Sequence, residues 1–85
     1  MMAPKLYQKK GYTFFFWSSE VLQPYEPSHV HVRGENGSME IWIPSCEIKE
    51  VKGFSKVEQK VILEITKKHA EEFLKKWNEC KKRSE

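Results

Sequence analysis

Alternation of apolar and polar residues marks the first part of the chain as β-structure. In its most regular stretch, Val30 and Val32 face one side of a strand because successive side chains of a strand point to opposite faces. His29, His31 and Arg33 then face the other side. Alternation, β-rich runs and turn signals together predict four strands, at about residues 12–17, 28–34, 38–43 and 46–51.

The dipeptide Asn36-Gly37 predicts a tight hairpin between the second and third of these strands. A type I′ turn needs positive φ at both central residues, which Asn and Gly tolerate best. With these two residues in the turn, apolar residues of both strands share one face and polar residues share the other. The expected pairs are Arg33 with Glu40 as an ion pair, Val32 with Ile41, His31 with Trp42 and Val30 with Ile43.

The second part of the chain is predicted to be helical. Ser55 and Glu58 have the spacing of a capping box, and no Gly or Pro interrupts residues 55–82. The apolar residues form two groups, and the second lies roughly 100° or more further around the helix axis. These groups are Val57, Val61 and Ile65, then Phe73, Leu74 and Trp77. Because a straight helix of ~42 Å would also overhang the sheet, we expect a kink or break near residues 68–69.

These elements predict a single domain over residues 1–85 of the α+β class. A small antiparallel meander sheet of about four strands packs on a C-terminal helical segment. A chain of 85 residues and 10.1 kDa leaves no room for a second core. No apolar run approaches the ~18–20 residues of a membrane span, and the start of the chain has no apolar signal core. We therefore expect a soluble, cytoplasmic protein that does not contact a membrane.

Charge separates the two parts of the chain. Lys and Arg number 15 against 12 acidic residues, all of them Glu, which gives a net charge of +3. The whole excess lies in residues 55–85. A basic segment attracts nucleic acid, so DNA binding through the helical segment is one hypothesis. It is the weakest of those considered, because the intermixed Glu residues repel phosphates.

The polar face of the predicted hairpin carries the candidate chemistry. Along one strand, His29 and His31 have attachment points ~6.5–7 Å apart, close enough to share a metal ion, a phosphate or a proton-transfer task. Arg33 continues the row, and Glu40 and Trp42 lie opposite. Zinc needs a third and a fourth ligand, and this face offers only Glu40. We therefore expect no metal and no other cofactor.

Two uses of this face are consistent with the residues. It could bind a partner protein or RNA, with Trp42 and Trp17 stacking on unpaired bases at ~1–3 kcal/mol each. Alternatively, the chain could be a metal-independent ribonuclease. His29 and His31 would then be the general acid and base, and Arg33 would stabilise the phosphorane. The residues fit an enzyme and a binding module alike.

Four motifs of the chain resemble a known family. They are Gly11-Tyr12-Thr13-Phe14-Phe15-Phe16-Trp17-Ser18, Pro27-Ser28-His29-Val30-His31-Val32, Gly53-Phe54-Ser55 and Leu74-Lys75-Lys76-Trp77-Asn78-Glu79. In these motifs the chain is similar to a small bacterial family, domain-of-unknown-function family 4160. The resemblance implies a compact protein, often encoded beside a companion small gene in an arrangement similar to toxin–antitoxin pairs. The family usually has two adjacent prolines where this chain has Pro27-Ser28.

With this resemblance, the polar face favours an interaction module of a toxin–antitoxin-like pair. The implied partners are a companion small protein from a neighbouring gene and RNA. Residues 12–17 add a separate expectation, because this run is apolar on both faces. One aromatic face must then meet something beyond the core of its own sheet, so we also expect a homodimer or heterodimer.

Overall fold

A five-stranded antiparallel sheet packs against one long helix in the structure, a computed structural model that describes residues 5–83. The strands lie side by side in chain order, so the third strand is central. The predicted α+β meander is confirmed, with five strands in place of about four. The elements are β1 (Lys5–Lys9), β2 (Tyr12–Phe15), α1 (Ser18–Val21), β3 (His29–Gly34), β4 (Gly37–Trp42), β5 (Ile48–Lys52) and α2 (Lys56–Arg83).

The additional strand is β1, at the edge of the sheet. It joins β2 through a tight turn at Lys10 and Gly11, whose φ angles are 55° and 83°. Positive φ at both central residues is the geometry that the sequence predicts for Asn36-Gly37 instead. Lysines at both ends of β1 and an irregular register with β2 are common on edge strands, and they break the apolar alternation that marks the other strands.

The β3–β4 hairpin turns one residue earlier than predicted, at Glu35 and Asn36. All the predicted pairs are therefore wrong. The pairs are His29 with Trp42, Val30 with Ile41, His31 with Glu40, Val32 with Met39, Arg33 with Ser38 and Gly34 with Gly37. The predicted partner of every β3 residue lies two positions too far along β4, and an even shift preserves the faces. Glu40 and Trp42 thus stay on the histidine face.

A close backbone contact explains why position 37 is a glycine although it lies in the strand and not in the turn. A Cβ atom on Gly37 would lie 2.3 Å from the carbonyl oxygen of Lys52. A Cβ on Gly53, which has a φ of +79°, would lie 2.2 Å from the carbonyl oxygen of Asn36. Glycine at both positions lets the hairpin turn pack directly on the end of β5, because no side chain separates the two backbones.

The predicted cap of α2 is confirmed. The backbone N–H of Glu58 donates to the hydroxyl of Ser55 at 3.1 Å, and that hydroxyl lies 3.2 Å from the Glu58 carboxylate. The side-chain amide of Asn36 donates to the same carboxylate at 2.9 Å. The start of α2 is therefore tied to the β3–β4 turn as well as to its own cap.

The predicted break near residues 68–69 is wrong, because α2 is one uninterrupted helix. Its buried residues follow a single stripe at helical spacing: Ile62, Ile65, Thr66, Ala70, Phe73 and Trp77. The apparent drift comes from including Val57, which is 74% exposed. At 1.5 Å per residue the helix is ~42 Å long, close to the 40 Å long axis of the molecule. Neither helix of the described residues has the length and apolar content needed to cross a membrane.

The hydrophobic core lies between α2 and one face of the sheet. Phe14 stacks on Phe73 at 5.6 Å between ring centroids, and Phe16 meets Trp77 edge to face at 5.1 Å. On the opposite face of β2, Phe15 is also buried, because aromatic rings of the same chain lie against it. Phe15 on the second aromatic face of this strand is thus covered within the chain by Trp17 and His31. The expected homodimer or heterodimer stays a prediction.

We expect substitutions within the buried stripe of α2 to destabilise the protein more than substitutions outside it. Ile62→Ala should lower the free energy of unfolding by about 3 kcal/mol, because it opens a cavity in the core. Val57→Ala should change it by no more than about 0.5 kcal/mol, since Val57 is exposed. Urea unfolding with unchanged m-values measures both. Equal losses for the two variants would contradict a continuous stripe.

Candidate functional site

The face of the sheet opposite the core carries the two histidines of β3. The ring centroids of His29 and His31 lie 5.1 Å apart, so the strand brings them together as predicted. Their exposure differs: His29 is 0% exposed, whereas the side chain of His31 retains 15%. The prediction that both imidazoles lie on an accessible surface is therefore wrong for His29.

Two tryptophans and the β2–β3 connection enclose His29. Its ring centroid lies 5.6 Å from that of Trp42 and 5.4 Å from that of Trp77, which reaches the ring from α2. Its Nδ1 lies 3.0 Å from the carbonyl oxygen of Pro27, and its Nε2 lies 3.1 Å from Oε1 of Glu20. Both ring nitrogens therefore have partners inside the protein.

Glu20 gives no signal in the apolar pattern and was not predicted as a site residue. It lies in α1, within residues 18–28, where the prolines predict only a loop. Its Oε1 is 3.1 Å from Nε2 of His29 and 2.6 Å from Nε2 of His31. One carboxylate oxygen thus faces both imidazoles. Only the position of Glu20 in the chain indicates a role at the site. It lies in the connection between β2, which holds the aromatic run, and β3, which holds the histidines.

Glu40 approaches the same histidines from β4, and its Oε1 lies 4.0 Å from Nε2 of each. The predicted ion pair with Arg33 does not form; the ammonium group of Lys49 donates to Glu40 at 3.1 Å instead. Burial alone would raise the pKa of Glu40. Hydrogen bonds with Glu50 and Lys49 and the charge of His31 outweigh it, so this pKa is lower than usual. The hydrogen bond to Glu40 also raises the pKa of Lys49.

Four side chains from three elements thus form one group, which we call the His–Glu cluster: Glu20, His29, His31 and Glu40. Their donor atoms all lie within 4.8 Å of one another. Imidazole nitrogens and carboxylate oxygens are common metal ligands. The expectation that this face offers too few ligands for a metal is therefore wrong. The β2–β3 connection, which lies outside the sheet, supplies Glu20 as a further ligand.

A second feature, which we call the aromatic–cationic cleft, lies beside the cluster. It is an open cleft of about 320 Å³ lined by Lys5, Thr13, Phe15, Trp17 and Arg33. Phe15 stacks on His31 with 5.3 Å between centroids and 21° between planes, so its ring separates the cleft from the cluster. The guanidinium of Arg33 lies 5.4 Å from the centroid of the same ring.

The predicted binding residues thus divide into two groups. His29, His31 and Glu40 belong to the cluster, whereas Arg33 and Trp17 line the cleft. Trp42 flanks the cluster on its other side: it packs on His29, and the ammonium group of Lys49 lies 5.5 Å from its ring centroid. Trp42 therefore does not belong to the same surface as Trp17.

A five-stranded meander that packs on one long helix and carries a polar cluster on its other face defines a small α+β domain. Within that class, the chain belongs to the family described as Domain of unknown function (DUF4160), whose model matches residues 11–78. The matched residues include the whole His–Glu cluster, whereas β1 precedes them. No curated protein and no solved structure matches the chain.

We expect substitution of the buried His29 to destabilise the fold much more than substitution of the exposed Arg33. His29→Ala should lower the free energy of unfolding by about 2–4 kcal/mol, because it leaves a cavity between two tryptophans and removes one of the two imidazole partners of Glu20. Arg33→Ala, on the same strand face, should cost less than about 1 kcal/mol. Chemical denaturation of both variants measures the difference. A wild-type stability for His29→Ala would contradict the enclosed position of this ring.

Proposed function

We propose that this protein is a cytoplasmic interaction module that binds single-stranded RNA through the aromatic–cationic cleft. The observation that carries this proposal is the composition of the cleft, in which two cations and two aromatic rings line one open depression. Cations attract the phosphates of a nucleic acid, and aromatic rings stack on its bases. Only a single strand offers both groups together, because a duplex keeps its bases stacked inside.

The cations of the cleft are available to a ligand. Among residues 5–83, no carboxylate lies within ion-pairing distance of Lys5 or Arg33. Arg33 already lies near the ring of Phe15, so a base that enters would meet a guanidinium placed beside an aromatic wall. A cleft of about 320 Å³ is at the lower end of the size of small-molecule sites, which suits one base better than a folded partner.

The carboxylates on this face have polar or cationic partners, and none of them lines the cleft. Lys49 donates to Glu40 at 3.1 Å, and Lys52 lies 3.8 Å from Glu50. Glu20 faces the two imidazoles of the cluster. Lys5 and Arg33, which have no carboxylate partner among residues 5–83, lie in the cleft, and this supports the approach of a polyanion there.

The geometry favours binding over the ribonuclease hypothesis. That hypothesis needs two imidazoles that reach the scissile phosphate from an open face. His29 is fully buried, and its Nε2 and that of His31 both face the same oxygen of Glu20. Only His31 lies next to the cleft, so the pair does not flank a position where an RNA phosphate would lie.

DNA binding through α2 finds less support than the cleft. Lys76 lies 3.7 Å from Glu72, which also approaches His69 at 3.2 Å. Basic and acidic side chains thus share the exposed side of the helix, as the sequence indicates. Duplex DNA is therefore the control ligand in the experiment below.

We expect Trp17→Leu to weaken RNA binding because leucine keeps much of the packing but cannot stack on a base. A loss of stacking of about 1–3 kcal/mol raises the Kd about 5- to 150-fold. Fluorescence anisotropy of a labelled single-stranded RNA measures it. Arg33→Ala should also weaken binding and reduce the slope of log K against log salt by about 0.7.

The matched control is Tyr25→Leu, because Tyr25 is an aromatic residue that is 95% exposed and lies outside the cleft. It should bind RNA like the wild type, and duplex DNA should not displace the RNA. Equal losses for Trp17→Leu and Tyr25→Leu would point to nonspecific contacts and contradict a binding cleft.

A companion protein is a second candidate partner, as expected for a component of a toxin–antitoxin-like pair. The observation that favours it is the β2–β3 connection, where Leu22 and Tyr25 are 48% and 95% exposed. Large exposed apolar and aromatic side chains within one short segment are frequent at protein interfaces. This connection lies outside the lining of the cleft, so a protein and an RNA would use different residues.

Co-expression with the product of the neighbouring gene tests the second candidate. The two proteins should copurify, and one should relieve any growth arrest caused by the other. Leu22→Glu with Tyr25→Glu should abolish copurification because it places charges in an apolar contact. Arg33→Ala should leave copurification intact. A complex that survives the double substitution would exclude the connection as the contact surface.

A further inference from the structure

The His–Glu cluster has the donor atoms and the spacing of a metal site. Zinc binds imidazole nitrogen and carboxylate oxygen at about 2.0–2.2 Å, so tetrahedral ligand atoms lie about 3.3 Å apart. The imidazole-to-carboxylate distances in the cluster are 2.6 and 3.1 Å to Glu20, and 4.0 Å from both rings to Glu40. These distances bracket the tetrahedral value, and all four donor atoms lie within 4.8 Å of one another, so side-chain shifts alone could place them around one ion.

The hydrogen bonds of His29 point to the same use. Its Nδ1 lies 3.0 Å from the Pro27 carbonyl oxygen, which can only accept, so Nδ1 carries a proton. Its Nε2 faces the carboxylates of Glu20 and Glu40, which also accept. A neutral His29 then directs a lone pair at negatively charged oxygens in a fully buried position. Either a second proton or a bound cation is needed between these groups, and a metal ion satisfies all of them at once.

The groups behind the cluster are those that metal sites use. A metal-bound histidine commonly donates its other ring N–H to a backbone carbonyl, and the Pro27 carbonyl is placed to accept it. Ligating carboxylates are commonly hydrogen-bonded in turn, as Glu40 is to Lys49. Two carboxylates and two neutral imidazoles carry a charge of −2, which a divalent ion neutralises.

We infer that the His–Glu cluster binds a divalent transition metal ion, with Zn²⁺ as the expected ion. Two nitrogen and two oxygen donors are too rich in nitrogen for Mg²⁺ or Ca²⁺, and they lack the thiolates that select Cu(I). The cluster is reachable, because His31, Glu20 and Glu40 keep partial exposure while His29 forms the buried base. The ion would join the β2–β3 connection to β3 and β4. This inference does not rest on RNA binding, since none of the four ligands lines the cleft.

The test uses the full chain without an affinity tag, freed of metal by a chelator. Titration calorimetry with Zn²⁺ should give one saturable site, and Zn²⁺ should raise the Tm until a chelator is added. Co²⁺ should give the intense visible absorption of a four-coordinate site, and Zn²⁺ should displace it. Neither readout depends on an activity of the protein.

Matched substitutions assign the site. Glu20→Gln and His31→Gln should each raise the Kd for Zn²⁺ at least tenfold, because loss of groups behind the ligands alone costs 10- to 100-fold in metal sites. His69→Gln should leave the Kd unchanged, since His69 pairs with Glu72 on α2.

Any of four outcomes would overturn the inference. The first is the absence of saturable one-to-one binding of Zn²⁺ or Co²⁺ to the wild type. The second is unchanged affinity in both Glu20→Gln and His31→Gln, with circular dichroism showing that the variants are folded. The third is loss of binding in His69→Gln, which would place the metal on the surface of α2. A wild-type cobalt spectrum typical of six-coordinate aqueous ions would count against the cluster even if a variant failed to fold.

Discussion

The central position of β3 is the constraint on which the rest of the structure depends. β3 lies third of five strands, and its apolar residues Val30 and Val32 are buried in the core that α2 covers. Strand geometry then sends His29 and His31 to the opposite face. An imidazole that is fully buried there needs polar partners, since an unpaired buried group costs about 1–3 kcal/mol. Glu20 and the Pro27 carbonyl supply them, and no buried side-chain N or O of the described residues lacks a partner.

The sequence carries the faces of the strands more reliably than their register. Alternation places Val30 with the core and His31 opposite, and both positions are confirmed. The partners across the hairpin depend on which residue ends the turn, and Asn36-Gly37 is misleading there. Gly37 is glycine because another backbone passes within 2.3 Å of where its Cβ would be, which is a tertiary contact. A local turn rule cannot distinguish these two reasons for a glycine.

The same limit applies to α2 and to the cluster. The apolar pattern predicts the helix and its cap but not which apolar residues face the sheet, so Val57 displaces the expected stripe. Glu20 illustrates the limit more strongly, because its role depends on where α1 lies over the ends of two strands. Chemistry contributed by a connection leaves no periodic trace, whereas chemistry on a strand, such as the His31–Arg33 row, does.

The cleft and the cluster are physically joined through one aromatic contact. Phe15 stacks on His31 on one side and lies under the Arg33 guanidinium on another. The orientation of the His31 ring is set by Glu20, so the carboxylate that organises the cluster also supports the wall of the cleft. One row of side chains along β3 thus serves both sites. His29 and His31 belong to the His–Glu cluster, Arg33 lines the aromatic–cationic cleft, and the ring of Phe15 lies between the two. Two sites of different chemistry can occupy one face of the sheet because alternate residues of the same strand, β3, point to that face and contribute to both sites.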